Sequence, residues 1–124
     1  MRLFTTKPFA RFARRAGIGD GDLRVAIERA EAGRVDADLG GGVVKLRLAR
    51  PGHGKSGGFR TIVLFRRGAK AIFVYGFAKS DRDNIGGDEL TAFRALARHM
   101  LALGEADLVA AIESGTITEI THHG

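Results

Sequence analysis

Apolar positions along the 124-residue chain alternate between helical and strand-like spacing. Residues 2–5 are a short apolar piece that reads as a first strand. Thr6 or Pro8 opens a helix in which Phe9, Phe12, Ala13 and Ala16 recur at helical spacing, and Gly17 ends it. Asp20 or Asp22 caps a second helix with Leu23, Ala26, Ile27 and Ala30 on its inner face and Gly33 as its stop. Two short strand-like runs follow, 35–39 and 43–48, broken by Gly40-Gly41-Gly42. In the second, Val44, Leu46 and Leu48 alternate with Lys45 and Arg47, which predicts a half-buried strand with a basic outer face. Residues 50–58 hold several glycines and a proline and read as a loop. Residues 59–67 and 70–79 are rich in β-formers around Gly68-Ala69, the signature of a hairpin whose strands are apolar on both faces and so central in a sheet. Asp88 or a near neighbour then caps a long helix with Leu90, Phe93, Leu96, Ala97, Met100 and Leu101 as its stripe. Gly104 ends it, a last helix spans about 105–114, and 116–120 is a terminal strand or a tail.

The predicted order is β-α-α-β-β-β-α with a C-terminal addition. A helical hairpin packed on one face of a small, mostly antiparallel sheet is an α+β domain, and such a sheet can leave its other face partly open. Residues 1–104 are expected to form the domain, with 105–124 as a helical extension and tail packed on or next to it.

Composition narrows the class. Apolar residues make up 44% of the chain, enough to build a core. There is no cysteine, which excludes disulfides, a thiol nucleophile and a cysteine-type zinc site. Residues 1–8 do not resemble a signal peptide, and no apolar run approaches the roughly 20 residues of a membrane span. The expectation is a cytoplasmic domain that engages no membrane.

The net charge is +6, and its distribution says more than its sum. Residues 43–82 carry ten basic groups and one acid, Asp81, whereas residues 83–124 carry two basic and seven acidic groups. A basic block confined to one part of a folded domain is the footprint of a polyanion partner, although a solvated basic surface is the plainer alternative.

The central hairpin turns that charge into a candidate site. A two-residue Gly68-Ala69 turn would set Arg60 opposite Phe77 and Ile62 opposite Tyr75. Arg60, Tyr75, Phe77 and Lys79 then share one face, while Phe59, Val63, Phe65, Ile72 and Val74 share the other. Lys55 enters beside Arg60 and Arg82 leaves just beyond Lys79. Cations interleaved with aromatics suit RNA, since cations meet phosphates and rings stack on unpaired bases. Each aromatic taken alone is equally an ordinary sheet residue packed under the last helix. A half-buried Arg60 needs an acid, and the only one in its segment is Asp81. Other chemistry has little support. Lys55-Ser56 lacks P-loop spacing, His53, His99, His122 and His123 lack metal-ligand spacing, and no Ser–His–acid set can be assembled. Asp88/Glu89 sit in the first turn of a helix, where the dipole alone accounts for them. No cofactor and no metal is expected.

Lys55-Ser-Gly-Gly-Phe-Arg60, the strand pair, and Tyr75-Gly-Phe-Ala-Lys79-Ser-Asp-Arg82 together resemble the RelE/ParE superfamily of bacterial toxins, closest to its RelE/HigB-like branch. The resemblance covers about residues 1–103. It implies the toxin of a type II toxin–antitoxin system, a ribosome-dependent endoribonuclease that cleaves mRNA. The implied partners are the ribosome, mRNA and a cognate antitoxin of the helix-turn-helix, HigA-like kind, with operator DNA bound only by the toxin–antitoxin complex. Carried over by position, Lys55, Arg60, Lys79 and Arg82 become the catalytic set; the surrounding basic and aromatic residues His53, Tyr75, Phe77, Lys45 and Arg47 are expected to bind substrate. The chain departs from the pattern at Ser80, where members carry a further arginine, and at Ile85-Gly86-Gly87, where they carry a tyrosine. The general base stays open between Lys55, Lys79 and His53, whose imidazole titrates near neutrality. A ParE-like inhibitor of DNA gyrase and a non-toxic nucleic-acid-binding module are the rival readings on the same scaffold.

Overall fold

The computed structural model describes residues 1–50 and 54–120, with the side chains of 49–50 and 54–57 excepted. The elements run β1 (Arg2–Thr6), α1 (Lys7–Ala16), α2 (Asp20–Glu31), β2 (Ala37–Gly40), β3 (Val43–Arg50), β4 (Gly54–Arg66), β5 (Lys70–Ala78), α3 (Gly87–Met100), α4 (Glu105–Glu113) and β6 (Ile117–Ile120). One six-stranded sheet has the order β2-β3-β4-β5-β1-β6, antiparallel except for the β1–β5 pair. The α+β class and the helical hairpin are as expected. Residues 117–120 form a strand, and β4 begins at Gly54, five residues before the predicted start.

Local chemistry sets the helix ends. Thr6 accepts a hydrogen bond from the Phe9 amide at 3.4 Å, and Gly17 closes α1 in the left-handed region at φ 72°. The Glu89 carboxylate accepts from the Gly86 amide at 2.8 Å and so caps α3, one residue along from the expected Asp88.

Both sheet faces are covered. Phe9, Ala13, Leu23, Ala26 and Ile27 of the hairpin pack on Leu46, Phe59, Val63, Ala71 and Phe73. On the other face Ala97, Met100, Leu101 and Leu108 of α3 and α4 pack on Phe4, Val43, Ile62, Leu64, Ile72 and Val74. Ile72 and Val74 therefore lie opposite to the face expected for them. The cause is a compensating pair of irregularities. The turn has three residues, so Arg66 rather than Arg67 faces Lys70, and a bulge at Val74 then adds one residue to β5. Beyond the bulge the register returns to the predicted one, with Ile62 opposite Tyr75 and Arg60 opposite Phe77.

The C-terminal elements are tied back by charge as well as by packing. The Arg2 guanidinium donates to Glu119 at 2.8 Å and 2.9 Å and to Glu105 at 2.6 Å, joining β1 to β6 and α4. Those bonds hold the Glu119 carboxyl below its ordinary value of 4.5, against the opposing effect of burial. Glu89 is lowered from the same 4.5 by its bonds from Arg82 and from the Gly86 amide. Carboxyls depressed in the folded state add stability above their unfolded pKa and lose it as pH falls through the folded one. Urea denaturation carried from neutral pH to about pH 3 should show this loss beginning near 4.5. The Glu89→Gln/Glu119→Gln double variant should have a flatter acid limb; an unchanged limb would show that these two pairs do not set it.

Candidate nucleic-acid interface

The flanking strands are short, and this leaves one end of the sheet three strands wide. β2 reaches only to Lys45 along β3, and β1 reaches only to Phe73 along β5. Past those points β3, β4 and β5 run on as a three-stranded projection holding Arg47, Arg60 and Phe77, with Lys79 just beyond β5. Arg47 lies directly opposite Arg60, and Lys45 opposite Ile62, so the three basic residues share a face.

Arg60 is the unusual member. It is only 6% exposed, and its Nη1 has no hydrogen-bond partner among the described residues. A buried donor left unpaired costs about 1–3 kcal/mol. Its acid partner is Asp36 rather than the expected Asp81. Asp36 Oδ2 lies 3.3 Å from Arg60 Nε, and Oδ1 lies 3.7 Å from Nη2 of Arg47. Asp81 is exposed, and its amide donates to the Ala78 carbonyl at 2.9 Å. A cleft of about 230 Å³ surrounds Asp36 and is lined also by Arg29, Arg34 and Arg47.

The other expected site residues divide into two groups. Lys79 is exposed, its amide donates to the Gly58 carbonyl at 3.3 Å, and its ammonium has no ion-pair partner among the described residues. Lys45 is half-buried and Arg47 exposed. Arg82, by contrast, is fully engaged. It donates to Glu89 at 2.6 Å and 3.2 Å, to the Tyr75 hydroxyl at 3.1 Å and to the Asn84 carbonyl at 2.9 Å. Its guanidinium also lies 5.6 Å and 5.8 Å from the ring centroids of Phe77 and Tyr75. The Tyr75 ring packs against Phe93 of α3 at 6.0 Å, and Phe77 is buried. Arg82, Tyr75, Phe77 and Glu89 thus form an anchor that ties the segment after β5 to α3. His53 lies outside the described residues, as do His122 and His123. Lys55 falls within β4, with its side chain outside the description. His99 is exposed on α3.

Sequence reasoning missed Asp36 and Glu89. The 82-to-89 spacing across a helix start is a visible signal for Glu89 beyond the helix dipole. Asp36 carried no local signal, because its link to Arg60 passes through two strand pairings.

Two facts from other proteins complete the picture. No curated relative matches the chain. The model of the RelE family, described as the RelE toxin of the RelE / RelB toxin-antitoxin system, matches residues 1–120, beyond the expected limit near residue 103 and through α4 and β6. The projecting basic strands, the helical hairpin and this match over nearly the whole length agree, and the chain belongs to the RelE toxin family.

Proposed function

We propose that this toxin is an endoribonuclease that cleaves mRNA held on the translating ribosome, and that its antitoxin is of the helix-turn-helix, HigA-like kind. The observation that carries the reading is the buried, under-bonded guanidinium of Arg60 on a face shared with Arg47 and Lys45 and close to Lys79. A phosphodiester is the ligand that matches this set of cations, since a planar guanidinium binds phosphate oxygens in pairs.

The chemistry is transesterification. The substrate's 2′-hydroxyl loses its proton to a base and attacks the adjacent phosphorus. The new 2′-oxygen–phosphorus bond forms, the bond to the 5′-oxygen breaks, and that oxygen takes up a proton. A 2′,3′-cyclic phosphate and a free 5′-hydroxyl result. Arg60 stabilises the charge that develops on the phosphorane oxygens. Lys79 supplies a mobile cation or proton donor beside it, and Lys55 or His53 completes the acid–base pair. Lys45, Arg47 and the arginines of the Asp36 cleft hold neighbouring phosphates. Arg82 holds the segment that carries Lys79. A site with few acid–base groups depends on placement of its substrate, and the ribosome supplies that placement.

Induction without the antitoxin should stop protein synthesis before DNA replication, and purified toxin should cut mRNA on ribosomes much faster than the same RNA free in solution. Replication arrest with intact translation would instead favour the gyrase reading.

A further inference from the structure

We infer that Asp36 is the positioning residue for Arg60, an inference that rests on the endoribonuclease reading for its kinetic consequence but not for its geometry. Arg47 and Arg60 face each other across β3 and β4. Two guanidinium groups in such a pair repel, and one of these is buried. The Asp36 carboxylate touches both, with Oδ2 at 3.3 Å from Arg60 Nε and Oδ1 at 3.7 Å from Arg47 Nη2.

The backbone explains why Asp36 stands there. Its amide donates to the Lys45 carbonyl at 2.9 Å, one step beyond the first residue of β2. That bond fixes Asp36 beside the point where β3 leaves its neighbour and Arg47 begins the projecting end. The main chain that carries the carboxylate is therefore tied to β3.

Two effects follow. The ion pair at Nε restrains the Arg60 guanidinium against the strand. Neutralising the Arg47–Arg60 repulsion keeps Arg60 buried while Arg47 stays exposed to bind elsewhere on the strand. Asp36 itself touches no reacting atom in this arrangement.

Asp36→Asn keeps the shape and removes the charge. On ribosome-bound mRNA its kcat should fall roughly 10- to 100-fold, the scale of a misplaced catalytic group. KM should not rise, because the basic face gains a net positive charge. Asp36→Glu should recover part of the kcat. Exchange of the Arg60 Nε–H, followed by nitrogen-15 NMR on the full chain, should quicken several-fold in Asp36→Asn. Wild-type kcat in a folded Asp36→Asn protein, or unchanged Nε–H exchange, would overturn the assignment, as would a kcat loss no larger than the unfolded fraction. If the wild-type protein cut no RNA, the enzymatic reading would fall, and the exchange measurement alone would decide the role of Asp36.

Discussion

Arg60→Ala is expected to lower the cleavage rate of ribosome-bound mRNA by about 100- to 1,000-fold, the cost of removing one preorganised donor to a developing oxyanion. The loss should exceed what destabilisation accounts for: truncating this buried side chain removes packing and the ion pair with Asp36, though Asp36 keeps Arg47 as a cation, so the folded fraction is measured alongside the rate. Arg60→Lys keeps the charge but loses the planar fork, so its rate should fall between the two. Arg47→Ala should weaken RNA binding and its salt dependence more than the catalytic step, since Arg47 is exposed and carries only the looser contact to Asp36. An Arg60→Ala protein that cuts at the wild-type rate would remove the central residue of the proposed site.

How much of this was legible in the chain depends on the range of the interaction involved. The helical hairpin was readable because Phe9, Ala13, Leu23 and Ile27 repeat at helical spacing and the stops are glycines. The opposition of Arg60 and Phe77 was reached for an incomplete reason. A three-residue turn displaces the register by one and the bulge at Val74 restores it, so the prediction holds beyond the bulge and fails before it. A bulge has no residue signature when the strand is apolar on both faces, so the residue pattern alone places Ile72 and Val74 on the opposite face. The Arg82 anchor was half-visible: its aromatics were grouped correctly, but grouping by face does not say whether a ring meets a base or a guanidinium. The Asp36 contact was not legible at all. It depends on β2 ending short of β3 and on β3 pairing with β4, two facts of tertiary register that the pattern of any one segment does not contain.

The bulge and the hairpin meet at Gly76, where a single methyl group should be costly. Exchanging glycine for alanine inside a strand ordinarily gains about 0.5–1 kcal/mol, because glycine loses more freedom on folding. At position 76 the sign should reverse. A Cβ there would lie 2.6 Å from Cδ2 and 2.9 Å from Cζ of Phe12, and closer still to Cε2. Turning the Phe12 ring away would give up its packing against Phe9 at 5.8 Å and its edge-on contact with Phe59 at 5.6 Å. The Gly76→Ala protein should therefore be less stable by about 2–3 kcal/mol, toward the upper end of overpacking costs, and should melt roughly 10 °C lower. A groove beside Gly76 is lined by both Phe12 and Arg82, so the disturbance should also reach the anchor and lower cleavage. The double variant Phe12→Ala/Gly76→Ala separates the clash from every other effect. If the ring is the cause, the double variant should be no less stable than Phe12→Ala alone, a strongly non-additive pair. Additive losses, or a Gly76→Ala protein that melts with the wild type, would mean that α1 does not press on β5 at this point.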